Sequence, residues 1–235
     1  MKMTSLLVLA AGLAAGVATA AEISGTVTLN GNPPAEKAIT PLKDDPNCGK
    51  LHSSVPTTKF YVVGADKGLA DVVVMLKNVS GKSTGASAKP VVLDQKGCIY
   101  TPQILAVQTG QKLLVKNSDP ALHNVHTKPG AGSANKEENR AQMQGGPDLP
   151  FTFAASENFL KFQCDVHPWM FAWVTVVDHP YFAVTDKDGK FAIKDVPAGK
   201  YTVTALHRKA APTGLDKEVE VSDAAAKVDF VLEVK

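Results

Sequence analysis

The sequence predicts an all-β protein, and two observations support this fold class. Short runs of β-branched and aromatic residues recur along the chain, separated by turn-forming residues that include many of its 18 glycines and 15 prolines. Several runs also alternate apolar and polar side chains, as in residues 23–29 (ISGTVTL) and 228–234 (VDFVLEV). Short strands at regular spacing are typical of β-sandwiches, so we expect β-sandwiches here.

The first twenty residues predict a secretory signal peptide. Lys2 supplies a positive charge, residues 6–17 are apolar or small, and Ala18-Thr19-Ala20 is a small-x-small cleavage site. The apolar run is too short to span a bilayer stably, and no later segment is long and apolar enough to do so. We therefore expect a mature protein in a bacterial periplasm, without a membrane span.

The charge balance points to no class of partner. The chain has 25 basic and 23 acidic residues, and no basic amphipathic helix is evident. Neither nucleic acid nor a membrane surface is therefore an expected partner.

Three cysteines are an informative odd number in an exported chain. Cys48 and Cys98 lie in polar, turn-rich surroundings, whereas Cys164 lies between an apolar strand and a histidine. The economical interpretation is a Cys48–Cys98 disulfide that leaves Cys164 free and ties down the irregular residues 36–58. A disulfide that includes Cys164 remains the alternative.

Two local predictions concern the polar parts of the chain. Residues 134–144, inside the long polar stretch 128–150, predict a short helix. Residues 182–185 and 191–193 predict a hairpin around the turn Asp186-Lys187-Asp188-Gly189.

Residues 159–177 (FLKFQCDVHPWMFAWVTVV) contain the clearest chemical pattern. Apolar residues alternate up to Cys164, and residues 171–177 suit a buried strand. Between these two strands, Cys164, His167 and Met170 occupy positions 1, 4 and 7 of one heptapeptide. A thiol, an imidazole and a thioether on a tight turn predict a metal loop, and soft sulfur beside imidazole favours copper.

A copper electron-transfer site needs a second imidazole. His123 is the best candidate because it follows a turn and opens a strand, whereas His126 would face away on an extended strand. The remaining mature-chain histidines are expected to be ordinary surface or turn residues; they are His52, His179 and His207. The alternative is that Cys164 is an inert buried thiol, His167 a turn residue and Met170 part of the core.

The heptapeptide resembles the copper loop of the amicyanin-type cupredoxins, and residues 122–126 (LHNVH) resemble the strand that begins with their first ligand histidine. The resemblance covers residues 91–177. It implies one Cu(I)/Cu(II) ion held by equatorial His123, Cys164 and His167 and by axial Met170. It also implies that Asn124 hydrogen-bonds the copper loop.

The same resemblance implies an exposed apolar edge for electron exchange, formed by His167, Pro168 and Trp169. Two features depart from the cupredoxin pattern, namely the long loop 128–150 and the sequence outside the domain. Either of them could cover that edge.

Residues 23–34, 68–76 and 182–206 resemble successive parts of a carboxypeptidase-regulatory-like, transthyretin-type β-sandwich. The two resemblances together imply a cupredoxin Greek-key β-sandwich at residues 89–178, inserted in a second, smaller sandwich of residues 21–88 and 179–235. The alternative is a cupredoxin flanked by two unrelated β segments.

These features predict a type 1 (blue) copper protein of the periplasm that carries single electrons. Its expected partners are periplasmic redox proteins such as a dehydrogenase or a cytochrome. No acid–base pair is apparent, so the chain is not expected to be an enzyme. The alternative function is a copper carrier or sensor, or a partner-binding module, without electron transfer.

Overall fold

The computed structural model describes residues 20–222 and 224–235, and this part of the chain is built almost entirely from strands. Its helical elements are α1 (Thr40–Asp44) and three single 3₁₀ turns, Gly49–Leu51, Ala65–Lys67 and Gly85–Ser87. Its strands are β1 (Ala20–Asn30), β2 (Val73–Leu76), β3 (Val91–Gln95), β4 (Tyr100–Thr101), β5 (Ile104–Gln108), β6 (Leu113–Asn117), β7 (His123–Lys128), β8 (Glu138–Gln142), β9 (Leu149–Phe151), β10 (Glu157–Gln163), β11 (Phe171–Val177), β12 (Phe182–Val184), β13 (Lys190–Pro197), β14 (Gly199–His207), β15 (Ala211–Val221), β16 (Ala226–Lys227) and β17 (Phe230–Glu233). The predicted all-β class is confirmed.

Two predictions concern membranes and export. Among the described residues, no helix has the length and apolar character needed to cross a membrane. The predicted signal peptide lies outside the described residues except for Ala20, which is the first residue of β1.

The strands form four sheets that pair into two sandwiches. The central sandwich combines the sheets β4-β3-β6-β9 and β5-β11-β10-β7-β8. The flanking sandwich combines β12-β2-β14-β15 with β13-β1-β16, and β17 also pairs with β1. All strands of the central sandwich come from one continuous stretch, and the strands of the flanking sandwich precede and follow it. Such an order is consistent with a domain inserted at a surface loop, while the exact boundaries and the transthyretin-type resemblance stay predictions.

Strand β11 connects the two sandwiches. Ala172 and Val174 point into the central core, opposite Leu160 and Phe162 of β10. On the other face of β11, Trp173 packs against a third apolar cluster, which lies between the two sandwiches and contains residues of both. The buried members of this cluster are Val73, Ile104, Ala106 and Leu206. Because both faces of β11 are largely covered, its sequence FAWVTVV is apolar at every position except Thr175 rather than alternating.

A segment that precedes β2 also packs in the central core. Ile39, Leu42 and Cys48 are buried there, although the predicted division assigned residues 21–88 to the second sandwich. The predicted disulfide is present and joins Cys48 to Cys98 in the turn between β3 and β4. Nearby, Nε2 of His52 lies 2.7 Å from the carbonyl oxygen of Gly97. We call residues 39–52 the cover segment.

The helix predicted for residues 134–144 is wrong. The structure has strand β8 there, which pairs antiparallel with β7 from His123↔Gln142 to Thr127↔Glu138. Pairing with the exposed edge of β7 satisfies the backbone of this polar segment, so tertiary context overrides its local preference.

The predicted hairpin at residues 182–193 is also wrong, although its turn exists. The Gly189 N–H donates to the Asp186 carbonyl oxygen at 3.0 Å. The two strands then separate, because β12 pairs with β2 and β13 pairs with β1 in the opposite sheet. Gly189 has φ +74°, and a Cβ there would lie 2.2 Å from the carbonyl oxygen of Val27, so this crossing between sheets requires glycine.

Candidate metal centre

Strands β10 and β11 hold the loop that carries three of the predicted ligands. Their ladder ends at the pair Gln163↔Phe171. Directly beyond it, the Cys164 N–H donates to the Met170 carbonyl at 3.2 Å, and the Met170 N–H donates to the His167 carbonyl at 2.8 Å. The loop is therefore a closed turn with buried Cys164 at its start and buried Met170 at its end.

His123 is brought to this loop because β7 pairs with β10. It is fully buried, and its Nδ1 lies 3.0 Å from Nδ1 of His167 and 4.0 Å from Sγ of Cys164. The same Sγ lies 3.7 Å from Nδ1 of His167. These three donor atoms form what we call the ligand triangle.

The ligand triangle has the dimensions that one metal ion requires. The three distances above leave room for a point that lies about 2.0 Å from each nitrogen and about 2.2 Å from the sulfur. For comparison, zinc bonds to imidazole nitrogen are about 2.0 Å long and zinc bonds to thiolate sulfur about 2.3 Å. The donor set comprises two imidazoles, a thiolate and the buried thioether of Met170, which lies on the same loop as Cys164 and His167. This set suits copper. The residues present therefore fit a copper ion.

The surroundings of Cys164 favour its metal-binding form. Burial alone would raise the pKa of the thiol, but hydrogen bonds from His123 and His167 and from the Asn124 backbone outweigh burial and lower it. Burial alone would likewise lower the pKa of His123, but the Asp119 carboxylate and Cys164 outweigh it and raise that pKa. The thiolate, which is the species that binds metals, is thereby stabilised.

Asn124 ties β7 to the loop. Its Oδ1 accepts the backbone N–H of Asp165 at 2.7 Å and lies 3.4 Å from that of Val166. Its Nδ2 donates to Oδ2 of Asp165 at 3.0 Å, and its backbone N–H points at Sγ of Cys164 at 3.5 Å. These are contacts that hold the loop against the strand of His123.

Asp119 is a site residue that the sequence analysis missed. Its Oδ2 lies 2.9 Å from Nε2 of His123, and both side chains are buried. The sequence indicated only that a turn precedes His123. The available signal was an acidic residue four positions before a candidate ligand histidine.

The predicted exposed edge is wrong for His167, which is only 5% exposed. A ring nitrogen of His167 and the sulfur atoms of Cys48 and Cys98 all lie within 4.8 Å of one another. Trp169 is half-buried and donates its Nε1–H to the Cys98 carbonyl at 3.0 Å, while Pro168 is exposed. Cys98 and Trp169 thus lie against His167 from within residues 91–177, and Cys48 of the cover segment lies against it from outside them.

The other histidines lie outside the ligand triangle. The ring nitrogens of His126 contact Asp165 at 2.7 Å and Glu137 at 2.6 Å. The sequence predicts that His179 and His207 are surface or turn residues; both are buried, His179 in a bend and His207 at the end of β14. Nε2 of His179 bonds the Leu76 carbonyl, and Nδ1 of His207 accepts backbone N–H groups, so the roles of both are structural.

No protein-family model and no curated protein matches the chain. Solved structures that match it include an amicyanin mutant in its oxidised state, at 22% identity over 44% of this chain and 97% of that chain, with a TM-score of 0.33. A purple cupredoxin from Nitrosopumilus maritimus matches at 20% identity over 37% of this chain and 98% of that chain, with a TM-score of 0.31. A copper-containing nitrite reductase from Thermus scotoductus matches at 18% identity over 43% of this chain and 25% of that chain, with a TM-score of 0.34. At these scores, the assignment of the site depends on its own residues and geometry.

Proposed function

We propose that the chain is a type 1 copper protein of the periplasm that acts as a one-electron carrier or relay. The observation that carries this proposal is the ligand triangle, in which Sγ of Cys164 and Nδ1 of His123 and His167 converge in a buried site. Copper held there by these residues and Met170 would supply a Cu(I)/Cu(II) couple.

The chain's own residues would keep this site rigid and dry. His123 lies at a strand end, Cys164 and Met170 flank a closed turn, and Asn124 binds the two elements together. Buried ligands on packed strands rearrange little when the charge of the site changes, because protein interiors are close-packed. A small rearrangement is what one-electron exchange requires.

The approach of a redox partner would avoid the covered ring of His167. Leu122 and Val166 directly precede two of the proposed ligands and are 43% and 53% exposed. We propose that a periplasmic dehydrogenase or cytochrome approaches on this side. Catalysis by the chain itself is not part of the proposal.

A spectroscopic titration tests the metal site. Addition of Cu(II) to the metal-free protein, residues 21–235, should produce an intense visible thiolate-to-copper band. Cys164→Ser and His123→Gln should abolish it, and the matched control His126→Gln should retain it, since His126 lies on the same strand outside the ligand triangle. A colourless Cu(II) complex, or colour that survives Cys164→Ser, would refute the proposal.

A copper carrier or sensor without electron transfer is the second candidate function. The observation that favours it is the burial of His167 beside the cover segment, which limits contact with a redox partner. Voltammetry of the copper-loaded protein separates the two functions, because a quasi-reversible one-electron wave is expected only of an electron carrier.

A further inference from the structure

The carboxylate of Asp119 is buried and accepts three N–H groups. Oδ1 accepts from the Gly97 backbone at 2.5 Å, and Oδ2 accepts from the Cys98 backbone at 2.7 Å and from Nε2 of His123 at 2.9 Å. Asp119 is only 4% exposed. A buried carboxylate is destabilising unless it is paired and hydrogen-bonded. The choice of these three partners therefore calls for a physical reason.

The turn that contains Asp119 does not depend on this carboxylate. The turn is closed by Asn117, whose Oδ1 accepts the Asp119 backbone N–H at 3.1 Å and whose Nδ2 donates to the Ala121 carbonyl at 2.9 Å. The Asp119 side chain is therefore free to point away from its own turn, towards His123.

The contact with Asp119 determines which nitrogen of His123 can bind a metal. Because Nε2 faces the carboxylate and donates to it, Nδ1 is the nitrogen that faces the ligand triangle, and in the neutral ring it carries the lone pair that a metal needs. A carboxylate on the remote nitrogen also makes the imidazole a stronger base and a better ligand for the more highly charged metal state.

We propose that Asp119 is a positioning residue of the metal centre, which holds His123 in the Nε2–H form and stabilises Cu(II) relative to Cu(I). This proposal rests on the proposed function, because it assigns a role toward the copper ion. The competing role is structural only: Asp119 would anchor the turn at Gly97 and Cys98 without influence on the metal.

The variant Asp119→Asn separates the two roles. Its amide oxygen can still accept from His123 and Cys98, but the negative charge is lost. We expect Cu(II) affinity to fall about 10- to 100-fold relative to Cu(I), which at 59 mV per tenfold for one electron raises the reduction potential by about 60 to 120 mV. The control Glu137→Gln removes an exposed carboxylate that contacts His126 rather than a proposed ligand, and it should leave the potential unchanged.

The outcomes are distinguishable. A wild-type potential in Asp119→Asn, together with lower stability, would mean a structural role only and would overturn this inference alone. A wild-type protein without any copper redox couple would overturn both this inference and the proposed function.

A second measurement needs no variant. In the Cu(I)-loaded wild-type protein, which is diamagnetic, NMR should detect a proton on Nε2 of His123 that exchanges slowly with solvent, because it is buried and bonded to Asp119. A rapidly exchanging or absent Nε2 proton would overturn the proposal even if Asp119→Asn fails to fold.

Discussion

Two buried histidines show that burial alone does not decide the charge of a side chain. Burial opposes protonation in both His123 and His207. His123 faces the Asp119 carboxylate, and its pKa is raised. Burial, and to a smaller extent the charge of Arg208, lowers the pKa of His207 to about 4. Its Nδ1 accepts two backbone N–H groups, which leave no place for a proton on that nitrogen. The partner of each ring decides its charge.

The shifted pKa of His207 predicts a pH dependence of stability. Its pKa is about 6.5 in the unfolded chain and about 4 in the folded protein, so unfolding takes up a proton between these values. The contribution of His207 to the free energy of unfolding is therefore fully present above pH 6.5 and is lost as the pH falls towards 4. It amounts to about 3 kcal/mol, at 1.36 kcal/mol per pKa unit.

The matched variant is His207→Asn, which retains an acceptor for the backbone N–H groups but does not titrate. We expect it to be less stable than the wild type at pH 7, with a difference that narrows as the pH falls to 4. Denaturant unfolding of the metal-free proteins from pH 7 to pH 4 measures this. A difference that stays constant would contradict the assigned pKa.

At the scale of the element, the cover segment departs most from the predicted copper domain. It has little regular structure, and α1 has only five residues. It is held by the Cys48–Cys98 disulfide, by the His52 contact to Gly97 and by buried Ile39 and Leu42. Apart from the Ile39 N–H, which donates to the Pro56 carbonyl, its backbone hydrogen bonds stay within the segment, so its attachment to the central sandwich depends on such side-chain anchors.

Removal of the disulfide should release the cover segment. The double substitution Cys48→Ala/Cys98→Ala opens a loop with a sequence separation of 50 residues, and the chain-entropy model predicts a loss of about 4 kcal/mol. We expect faster amide hydrogen exchange in residues 39–52, with little change in β14 and β15 of the flanking sandwich. Unchanged exchange in residues 39–52 would show that buried Ile39 and Leu42 suffice to hold the cover segment without the disulfide.

At the scale of the whole molecule, the four sheets form one stack with three apolar layers. The outer two layers are the cores of the two sandwiches, and the middle layer joins β5 and β11 to β2 and β14. At the rim of this middle layer, the guanidinium of Arg208 lies 4.2 Å from the ring centre of Trp173. Shared apolar burial of this kind should make the two sandwiches unfold together.

Substitutions in the middle layer should uncouple the sandwiches. Leu206→Ala removes a buried side chain from this layer, at a cost of about 2 to 5 kcal/mol. Tryptophan fluorescence, which reports Trp169 and Trp173 of the central sandwich, should then change at a different denaturant concentration from far-UV circular dichroism, which reports all strands.

The matched control is Leu232→Ala, which removes an equally buried leucine from the core of the flanking sandwich alone. Its two transitions should shift but stay coincident. Separate transitions in the wild type, or coincident ones in Leu206→Ala, would contradict the predicted coupling.

Patterns within single segments determined a large part of this molecule. Alternation and apolar runs predicted the all-β class and the strands around the loop, because strand periodicity is a local property. Spacing placed Cys164, His167 and Met170 on one turn, and the polar setting of Cys48 and Cys98 singled out their disulfide. These features need only neighbours along the chain.

Contacts between distant segments decided the rest. Residues 138–142 form a strand because the edge of β7 is available, and residues 182–184 and 190–197 enter different sheets. The cover segment packs beside His167 through a contact that no local pattern encodes. The Asp119 carboxylate lies only four residues before His123, but the backbone N–H groups of Gly97 and Cys98, from another turn, help to hold it there. The sequence by itself determined which donor atoms this protein carries, whereas the tertiary structure decided how they are oriented and shielded, because orientation and burial depend on side chains that meet only in the folded chain.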